Sequence, residues 1–392
     1  MPLFSIITTV YNNEKYIRSA AESILQQGFR DLEYIIVDDG STDATAEITD
    51  QIAKEDSRVH VIHQKNQWVY ASLNNGIKEA NGDYIFIVNS DDRLRSDILK
   101  IVADKINIYK RPDVIWTKVL THHCDLQQNI ICYDYYNIDK RFIKDYYFDN
   151  EESVRDNWML FYDSGLAHNQ INFYKREIMN NHPFRNDFFI ADRFFNISIA
   201  PAIHSALILK EAAYDYYLYN SENMNASYGK YYGYEHEMFD VFLNQFTELF
   251  IKWGRYNNEI KDNLYRKRIK YLSSEIRALN SKKCTLSLEE KLNTIFFVLL
   301  DEHIVECVKE TGTQEEFESR VLSGIRTLFI NDMLPEDSEM FFVYELLESL
   351  LRYEKDEEDF LKIKNAVNHP LNPLHIGKCF YEKLIYAQEG SV

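Results

Sequence analysis

A chain of 392 residues exceeds the size at which one hydrophobic core usually stops growing, so its length favours two domains. The formal net charge of −18 argues against a general nucleic-acid binder, because a phosphate backbone requires a basic protein face. Five cysteines without a CxxC pair fit reduced thiols better than disulfides or a zinc site. No secretory signal is visible in residues 1–16, and the longest apolar run, 295–300, is too short for a membrane span. We therefore expect a cytoplasmic protein.

The first 120 residues alternate between apolar β-branched runs and segments of helical periodicity. Strands are predicted at 3–11, 32–40, 58–64, 84–88 and 113–121. Helices are predicted between them, and the expected N-caps are Asn12 or Asn13, Ser41 or Thr42, and Ser96. This order predicts βαβ units, and hence an α/β, Rossmann-like fold with a mostly parallel sheet.

The remainder of the chain changes character twice. Residues 140–225 are irregular and rich in Tyr and Phe, whereas the segments beyond 226 have helical periodicity and a Leu/Glu/Lys composition. We therefore expect two domains, an α/β domain at 1–225 and an α-helical domain at 226–392.

Polar residues cluster where the predicted strands end, and ligands of parallel sheets bind at that edge. Asp91 and Asp92 lie side by side after the strand 84–88, although adjacent carboxylates repel each other. A divalent cation prefers such hard oxygen ligands, and it would stabilise charge on a leaving diphosphate. A solvated turn with Asp as a helix cap is the alternative for these two residues taken alone.

Four motifs occur in order along the chain: "SIITTVYNNEKYIRSAAESILQQ", "YIIVDDGSTDAT", "NQWVYASLNNGIKEANGDYIFIVNSDD" and "IADRFF". This set resembles the family-two inverting glycosyltransferases, which have the A-type nucleotide-sugar-binding (GT-A) fold. The resemblance extends over residues 3–225 and is strongest over 3–95. It implies transfer of a sugar from a nucleotide diphosphate sugar, typically UDP-linked, to a hydroxyl of a glycan, lipid-linked or protein acceptor. Such reactions build cell-surface polysaccharides or glycoconjugates.

The resemblance also assigns roles to individual residues. Asp91 matches the aspartate that binds Mn²⁺ or Mg²⁺. Asp39 matches the carboxylate that accepts a hydrogen bond from the donor's base, and uracil N3–H is a suitable hydrogen-bond donor for it. The complete set of donor-binding residues that the resemblance implies is Thr8, Thr9, Tyr11, Asp39, Asn66, Asn89, Ser90 and Asp92.

Asp192 matches the catalytic base of the family. An acceptor hydroxyl is a poor nucleophile, and a carboxylate within hydrogen-bond reach can remove its proton as the new bond forms. Attack opposite the leaving group inverts the anomeric carbon in one step, so a second carboxylate nucleophile is not needed. Two alternatives stay open: Asp187 as the base, or a structural pairing of Asp192 with Arg193 or Arg185.

The sequence departs from the family pattern at several positions. Asn89 replaces the first aspartate of the D-x-D element, and Leu73 replaces a basic residue. Trp68 stands where glycine is frequent, and Asn220 where Arg or Lys often follows the tyrosines near 219. These changes remove positive charge near the donor and keep open a non-catalytic nucleotide- or sugar-binding scaffold as an alternative function.

Two further interpretations concern the charge pattern. Residues 252–283 carry ten Lys or Arg against three Asp or Glu over a potential apolar stripe, which suits peripheral contact with an anionic membrane. Packing against the acidic domain or a second subunit is the alternative, and the segment 226–392 could mediate a homo-oligomer. A nucleotidyltransferase is disfavoured, because residues 8–14 contain neither the glycine nor the lysine of a triphosphate-binding loop.

Overall fold

The computed structural model describes residues 1–125, 129–136, 142–169, 171–219 and 230–287, together with separate positions between 290 and 324. The chain divides into two compact units, residues 1–225 and 226–392. The first unit contains the sheet, and the described part of the second unit is helical.

The strands of the first unit are β1 (Phe4–Val10), β2 (Leu32–Asp38), β3 (Val59–His63), β4 (Tyr84–Ile87), β5 (Arg93–Leu94), β6 (Val114–Cys124), β7 (Ile130–Tyr136), β8 (Tyr146–Phe148), β9 (Phe173–Lys175) and β10 (Ala206–Tyr219). Its helices are α1 (Ile17–Leu25), α2 (Thr45–Glu55), α3 (Val69–Glu79), α4 (Ile98–Ile108), α5 (Glu151–Asp156), α6 (Trp158–Asp163), α7 (Arg176–Asn181) and α8 (Ala191–Ile199). Each of the five predicted strands therefore forms, with its ends shifted by at most three residues.

In the described part of the chain these strands form one mixed sheet, in the order β3-β2-β1-β4-β9-β6-β10-β5. The ladders from β3 to β4 are parallel, and so is the ladder between β6 and β10. The short strand β9 runs antiparallel between β4 and β6. The predicted α/β fold with a mostly parallel sheet is therefore confirmed.

The chain reverses its direction of travel across the sheet at β1. Strands β2 and β3 are added on one side of β1, and β4 then pairs with its other side. The carboxyl ends of β1 and β4 therefore border a topological switch point, where open α/β sheets bind their ligands.

Aromatic side chains from four strands pack around Phe173 in the core. Its ring lies 4.2 Å from Phe86 of β4 and 5.4 Å from Phe4 of β1, and Phe86 lies 6.3 Å from Tyr214 of β10. All four side chains are fully buried. This packing connects the parallel half of the sheet to β10, so Tyr214 has a fixed position next to the end of β4.

The expected helix caps were wrong in each of the three cases. Tyr16, Ala44 and Asp97 occupy the N-cap positions of α1, α2 and α4, and none of them makes a side-chain capping bond. The residues that were expected to cap α1 and α2 lie outside these helices. Their polar groups form hydrogen bonds between separate loops instead.

The second unit begins with α9 (Glu235–Lys252) and α10 (Asn258–Leu279), which pack together. Phe239 of α9 stacks on Tyr271 of α10, with ring centroids 4.6 Å apart. Most of the apolar stripe expected in 252–283 is buried in this unit, namely Leu264, Tyr271, Leu272, Ile276 and Leu279. None of the helices in the described ranges is both long and apolar enough to cross a bilayer.

A close backbone contact just before β4 gives a test of the packing. A Cβ atom at Gly82 would lie 2.5 Å from the Ser5 backbone nitrogen and 2.6 Å from the Phe4 carbonyl carbon. We expect Gly82→Ala to lower the free energy of unfolding by about 1–3 kcal/mol, as overpacked cores do. Urea unfolding measures this change. Gly28→Ala is the control, because its nearest neighbour would lie 3.8 Å away; equal stability of both variants would contradict this account.

Candidate active site

Two asparagines after β1 connect the loops at the carboxyl edge of the sheet. Asn12 Oδ1 accepts a 2.7 Å hydrogen bond from the Thr42 backbone N–H of the loop after β2. Asn13 Nδ2 donates a 2.7 Å hydrogen bond to Ser90 Oγ of the loop after β4. The Asn13 backbone N–H also donates to Thr45 Oγ1 at 2.9 Å. The ends of β1, β2 and β4 are therefore held together at one edge.

The two aspartates at the end of β2 have different surroundings. Asp38 Oδ1 accepts from the Ser41 backbone N–H at 3.1 Å, and Asp38 Oδ2 lies 2.9 Å from His63 Nδ1. Asp39 Oδ1 accepts from Gln64 Nε2 at 2.7 Å and from the Gln67 backbone N–H at 2.8 Å. Asp38 therefore stabilises its own turn, whereas Asp39 orders the loop that leads into α3.

Gly40 permits the loop that leads into α3 to pass close to the turn after β2. Its φ is +79°, and a Cβ atom there would lie 3.0 Å from the Asn66 backbone nitrogen and 3.1 Å from the Gln64 carbonyl oxygen. Both the left-handed backbone and the narrow space favour glycine. The predicted donor-binding residue Asn66 is exposed and lies on this loop, next to the residues that hold Asp39.

The two aspartates after β4 also have different surroundings. Asp92 is 1 % exposed, and its Oδ2 accepts from Tyr214 Oη at 2.7 Å and from Asn89 Nδ2 at 3.0 Å. Asp92 Oδ1 accepts from the Tyr217 backbone N–H at 2.9 Å. Asp91 is half-buried at the edge. Asp92 is thus an internal anchor, and Asp91 is the carboxylate of this pair that has access to a ligand.

Burial raises the pKa of both carboxyls. The pKa of Asp92 rises to about 7, because burial and the neighbouring charge of Asp91 outweigh its three hydrogen bonds. Burial also raises the pKa of Asp91. A cation at this edge would offset the desolvation of both groups.

Asp192 lies in the first turn of α8, and its Oδ1 accepts from the Arg193 backbone N–H at 3.0 Å. Burial raises the pKa of Asp192 to about 6, while the charge of Arg193 acts in the opposite direction. By contrast, the rival Asp187 is exposed and pairs with Arg185 at 2.6 Å, which lowers the pKa of Asp187. A carboxyl poised near neutral pH is the better general base of the two.

The segment 64–70 connects the surroundings of Asp39 to those of Asp192. The Gln67 backbone N–H bonds Asp39, and the Tyr70 hydroxyl donates to the Phe189 carbonyl at 2.9 Å, close to Asp192 in sequence. Trp68 lies between them with φ +74° and ψ 161°, a conformation that few residues except glycine adopt. This backbone explains why glycine suits the position, and the Trp68 side chain is 44 % exposed.

The residues predicted from β1 differ in their access to solvent. Thr8 is fully buried, and its Oγ1 accepts from Tyr34 Oη at 3.0 Å. Its side chain has no exposed surface, whereas Thr9 is half-buried and Tyr11 is 50 % exposed. Ser90 remains at the edge through its bond to Asn13.

An aromatic row beside Asp91 was not predicted as part of the site. The Arg93 guanidinium lies 5.1 Å from the Tyr217 ring, and Tyr217 stacks on Tyr219 with centroids 6.0 Å apart. Tyr16 lies a further 5.1 Å from Tyr219. The sequence "YDYYLY" contained a signal for this row, because residues 217 and 219 are alternate positions and share one face of a strand. This row of side chains includes Arg93, which lies near the carboxyl edge of the sheet.

Comparison with known protein families identifies the domain that carries these motifs. Residues 5–180 match the family described as "Glycosyl transferase family 2". The chain carries a glycosyltransferase family 2 domain. The resemblance is therefore confirmed over residues 5–180, which contain the first three motifs, whereas "IADRFF" lies beyond the match. The protein is a glycosyltransferase enzyme.

Relatives of this glycosyltransferase have similar names. It is 29% identical over 330 residues to "Putative glycosyltransferase EpsH" of Bacillus subtilis (strain 168), covering 80% of this chain and 87% of that protein. It is 40% identical over 114 residues to "Glycosyltransferase GlyG" of Streptococcus pneumoniae serotype 4, covering 29% of this chain and 38% of that protein. The chain therefore spans most of the first relative and less than two thirds of the second.

A solved structure supports the fold of the glycosyltransferase. The crystal structure of S. aureus TarS superposes with a TM-score of 0.54 at 16% identity, covering 91% of this chain and 56% of that chain. At this identity the likeness concerns the fold alone, and the expected A-type fold is confirmed.

The raised carboxyl pKa values predict how stability depends on pH without a divalent cation. The pKa of Asp92 is about 7 when folded and 3.8 when unfolded, so the folded state retains the proton between these values. The free energy of unfolding therefore falls as pH rises from 4 to 7, by about 1.4 kcal/mol per pH unit for such a group. Urea unfolding in EDTA at several pH values measures this slope.

Asp92→Asn should flatten that slope, because it removes the buried group. Asp104→Asn, at an exposed position of α4, should leave the slope unchanged. An identical slope in Asp92→Asn and the wild type would contradict the prediction.

Proposed function

We propose that this glycosyltransferase transfers a sugar, with inversion, from a UDP-linked donor to a hydroxyl of a glycan, lipid-linked or protein acceptor in cell-surface polysaccharide or glycoconjugate synthesis. The observation that carries the proposal is that two carboxylates, Asp39 and Asp91, lie at strand ends beside the switch point of the sheet. Asp39 and Asp91 follow β2 and β4, and Asn12 and Asn13 tie the loops of these strands together.

The donor's base is assigned to Asp39. Gln64 Nε2 and the Gln67 backbone N–H both donate to its Oδ1, which fixes the plane of the carboxylate. The other oxygen, Oδ2, is then oriented to accept the N3–H of uracil. Thr9, Tyr11 and Asn66 complete this side of the donor site, on the loops that border Asp39.

The donor's diphosphate is assigned to the segment after β4. In the described part of the chain, no three His, Cys, Asp or Glu side chains form a metal-binding group. Asp91 would hold a Mn²⁺ or Mg²⁺ ion that takes its other ligands from phosphate oxygens and water. Such an ion stabilises the negative charge that develops on the leaving diphosphate.

The remaining residues of that segment hold Asp91 in place. Asp92 fixes the backbone of this segment by accepting hydrogen bonds from the Tyr214 hydroxyl and the Tyr217 backbone N–H. The Asn89 side-chain amide also donates a hydrogen bond to Asp92. An aspartate at position 89 would place a further negative charge against Asp92, so the amide suits this anchor. Asn89 and Ser90 then face the ribose and diphosphate through their remaining polar atoms.

The acceptor hydroxyl is assigned to Asp192. Its pKa of about 6 leaves the carboxylate ionised at neutral pH, while it remains basic enough to accept a proton. Proton removal by Asp192 accompanies attack on the anomeric carbon from the face opposite the diphosphate. The exposed, strained Trp68 lies on the segment between Asp39 and Asp192, where the transferred sugar would be held.

The first test replaces the proposed base. Asp192→Asn should reduce transfer by a factor of about 10²–10⁴, the usual contribution of general base catalysis, while binding of UDP persists. Release of nucleotide from a panel of nucleotide sugars, with and without Mn²⁺, measures the reaction. Asp187→Asn is the matched control and should retain activity.

Each alternative has its own outcome in this panel. Normal turnover by Asp192→Asn, with loss of activity in Asp187→Asn, would move the base to Asp187. Nucleotide binding without release from any donor would favour the non-catalytic scaffold. Release that is unchanged by EDTA would contradict the role of Asp91.

The second test concerns the base of the donor. Asp39→Asn should weaken UDP binding about tenfold or more, because hydrogen bonds to a charged group contribute roughly 1.5–3 kcal/mol. Calorimetry with UDP and with N3-methyl-UDP, which lacks the N3–H, measures the effect. Wild type should discriminate strongly between the two nucleotides and the variant weakly; equal discrimination by both proteins would exclude this contact.

The roles of the second unit follow from the same function. We infer that residues 226–392 serve self-association or the acceptor. Peripheral membrane contact by 252–283 would have to use the basic side of α10, because most of its apolar stripe is buried. Light scattering and binding to anionic vesicles measure these two properties separately.

A further inference from the structure

A cavity of about 510 Å³ lies wholly within the second unit. It is bounded by the residues that precede α9, by α9 and α10, and by described positions from 294 to 301. Its lining combines acidic groups with tyrosine rings and includes Tyr231, His236, Glu237, Glu275, Thr294 and Asp301. The function proposed above does not use this cavity.

Glu275 of α10 is the unusual group in the lining. Its side chain is 2 % exposed, and its Oε1 has no hydrogen-bond partner among the described residues. Its Oε2 lies 3.8 Å from His236 Nδ1, beyond hydrogen-bonding distance. Burial raises the pKa of Glu275 to about 7. Buried polar atoms without a partner are rare and require an explanation.

The basic side chains around the cavity contact other carboxylates, and His236 also lies 3.8 Å from Glu275 Oε2. Arg268 Nη1 donates to Asp240 Oδ1 at 2.6 Å. His236 Nε2 lies 3.4 Å from Asp301 Oδ2, and His303 Nδ1 lies 3.4 Å from Asp301 Oδ1. These contacts leave the buried oxygen of Glu275 facing an acidic space.

The remaining acids near the cavity differ from Glu275 in their surroundings. Glu235 accepts from the backbone N–H groups of Tyr232 and Gly233, at 2.7 and 2.9 Å, so its charge is stabilised by the chain itself. Glu237 is exposed and lines the same cavity. Of the four acids in the lining, Asp240 and Asp301 contact basic side chains, Glu275 is buried and Glu237 is exposed.

The size and lining of the cavity select a class of ligand. No three side chains in the described ranges could hold a metal ion together. The volume far exceeds that of a bare ion, since a water molecule takes about 30 Å³ of liquid. Tyrosine rings and carboxylates together suit a cationic nitrogen on a small organic body. We propose that this cavity binds a small organic cation whose ammonium group donates a hydrogen bond to Glu275.

Matched pairs of small molecules test the proposal directly. Putrescine differs from 1,4-butanediol, and glucosamine from glucose, in carrying ammonium groups on the same skeleton. Calorimetry with the full chain should detect binding of at least one amine, and binding of its neutral counterpart should be at least about tenfold weaker. If neither amine binds more tightly than its counterpart, the proposal is overturned.

Three variants locate the binding. Glu275→Gln should weaken amine binding at least about tenfold, and Glu237→Gln should weaken it by a smaller factor. Glu248→Gln, at an exposed position of α9 outside the cavity, should bind the amine as the wild type does. If Glu275→Gln does not fold, Glu237→Gln and Glu248→Gln still decide the outcome. Binding that is unchanged in both cavity variants would overturn the proposal, whatever the result of the transfer assays.

Discussion

The buried carboxylate of Asp92 holds the candidate active site together. It joins the end of β4 to β10, because Tyr214 Oη and the Tyr217 backbone N–H both donate to it. Taking a charge out of water is costly, and three hydrogen bonds offset part of that cost here. The rigid position of Asp91 at the edge, and of the tyrosine row beside it, follows from this anchor.

The same arrangement occurs at the end of β2, where adjacent aspartates again take separate roles. Asp38 stabilises the turn and contacts His63, while Asp39 orders the loop before α3. Successive side chains of an extended chain point in opposite directions, so two neighbouring carboxylates reach two environments. The two aspartates at each strand end therefore have different partners, although Asp38 and Asp39 are both buried whereas Asp91 lies at the edge.

The departures from the family pattern have local physical causes. Leu73 is 1 % exposed, so an apolar side chain completes the core where the family carries a basic one. Asn89 donates to Asp92, which a third carboxylate would repel. Trp68 occupies a backbone conformation that glycine adopts without strain, and its ring is exposed between the two halves of the site. Arg93 lies close to the edge that lacks an arginine after Tyr219.

By itself the sequence determined the succession of strands and helices in the first 120 residues, the edge at which polar groups gather, and the family, because periodicity and motif spacing are local properties. The tertiary structure alone decided that Asp92 is buried while Asp91 lies at the edge, and that Thr8 lies in the core. It also decided that Asn12 and Asn13 bridge loops rather than cap α1. These outcomes depend on partners such as Tyr214 that are distant in sequence, and no local pattern records which remote donor will reach a given carboxylate.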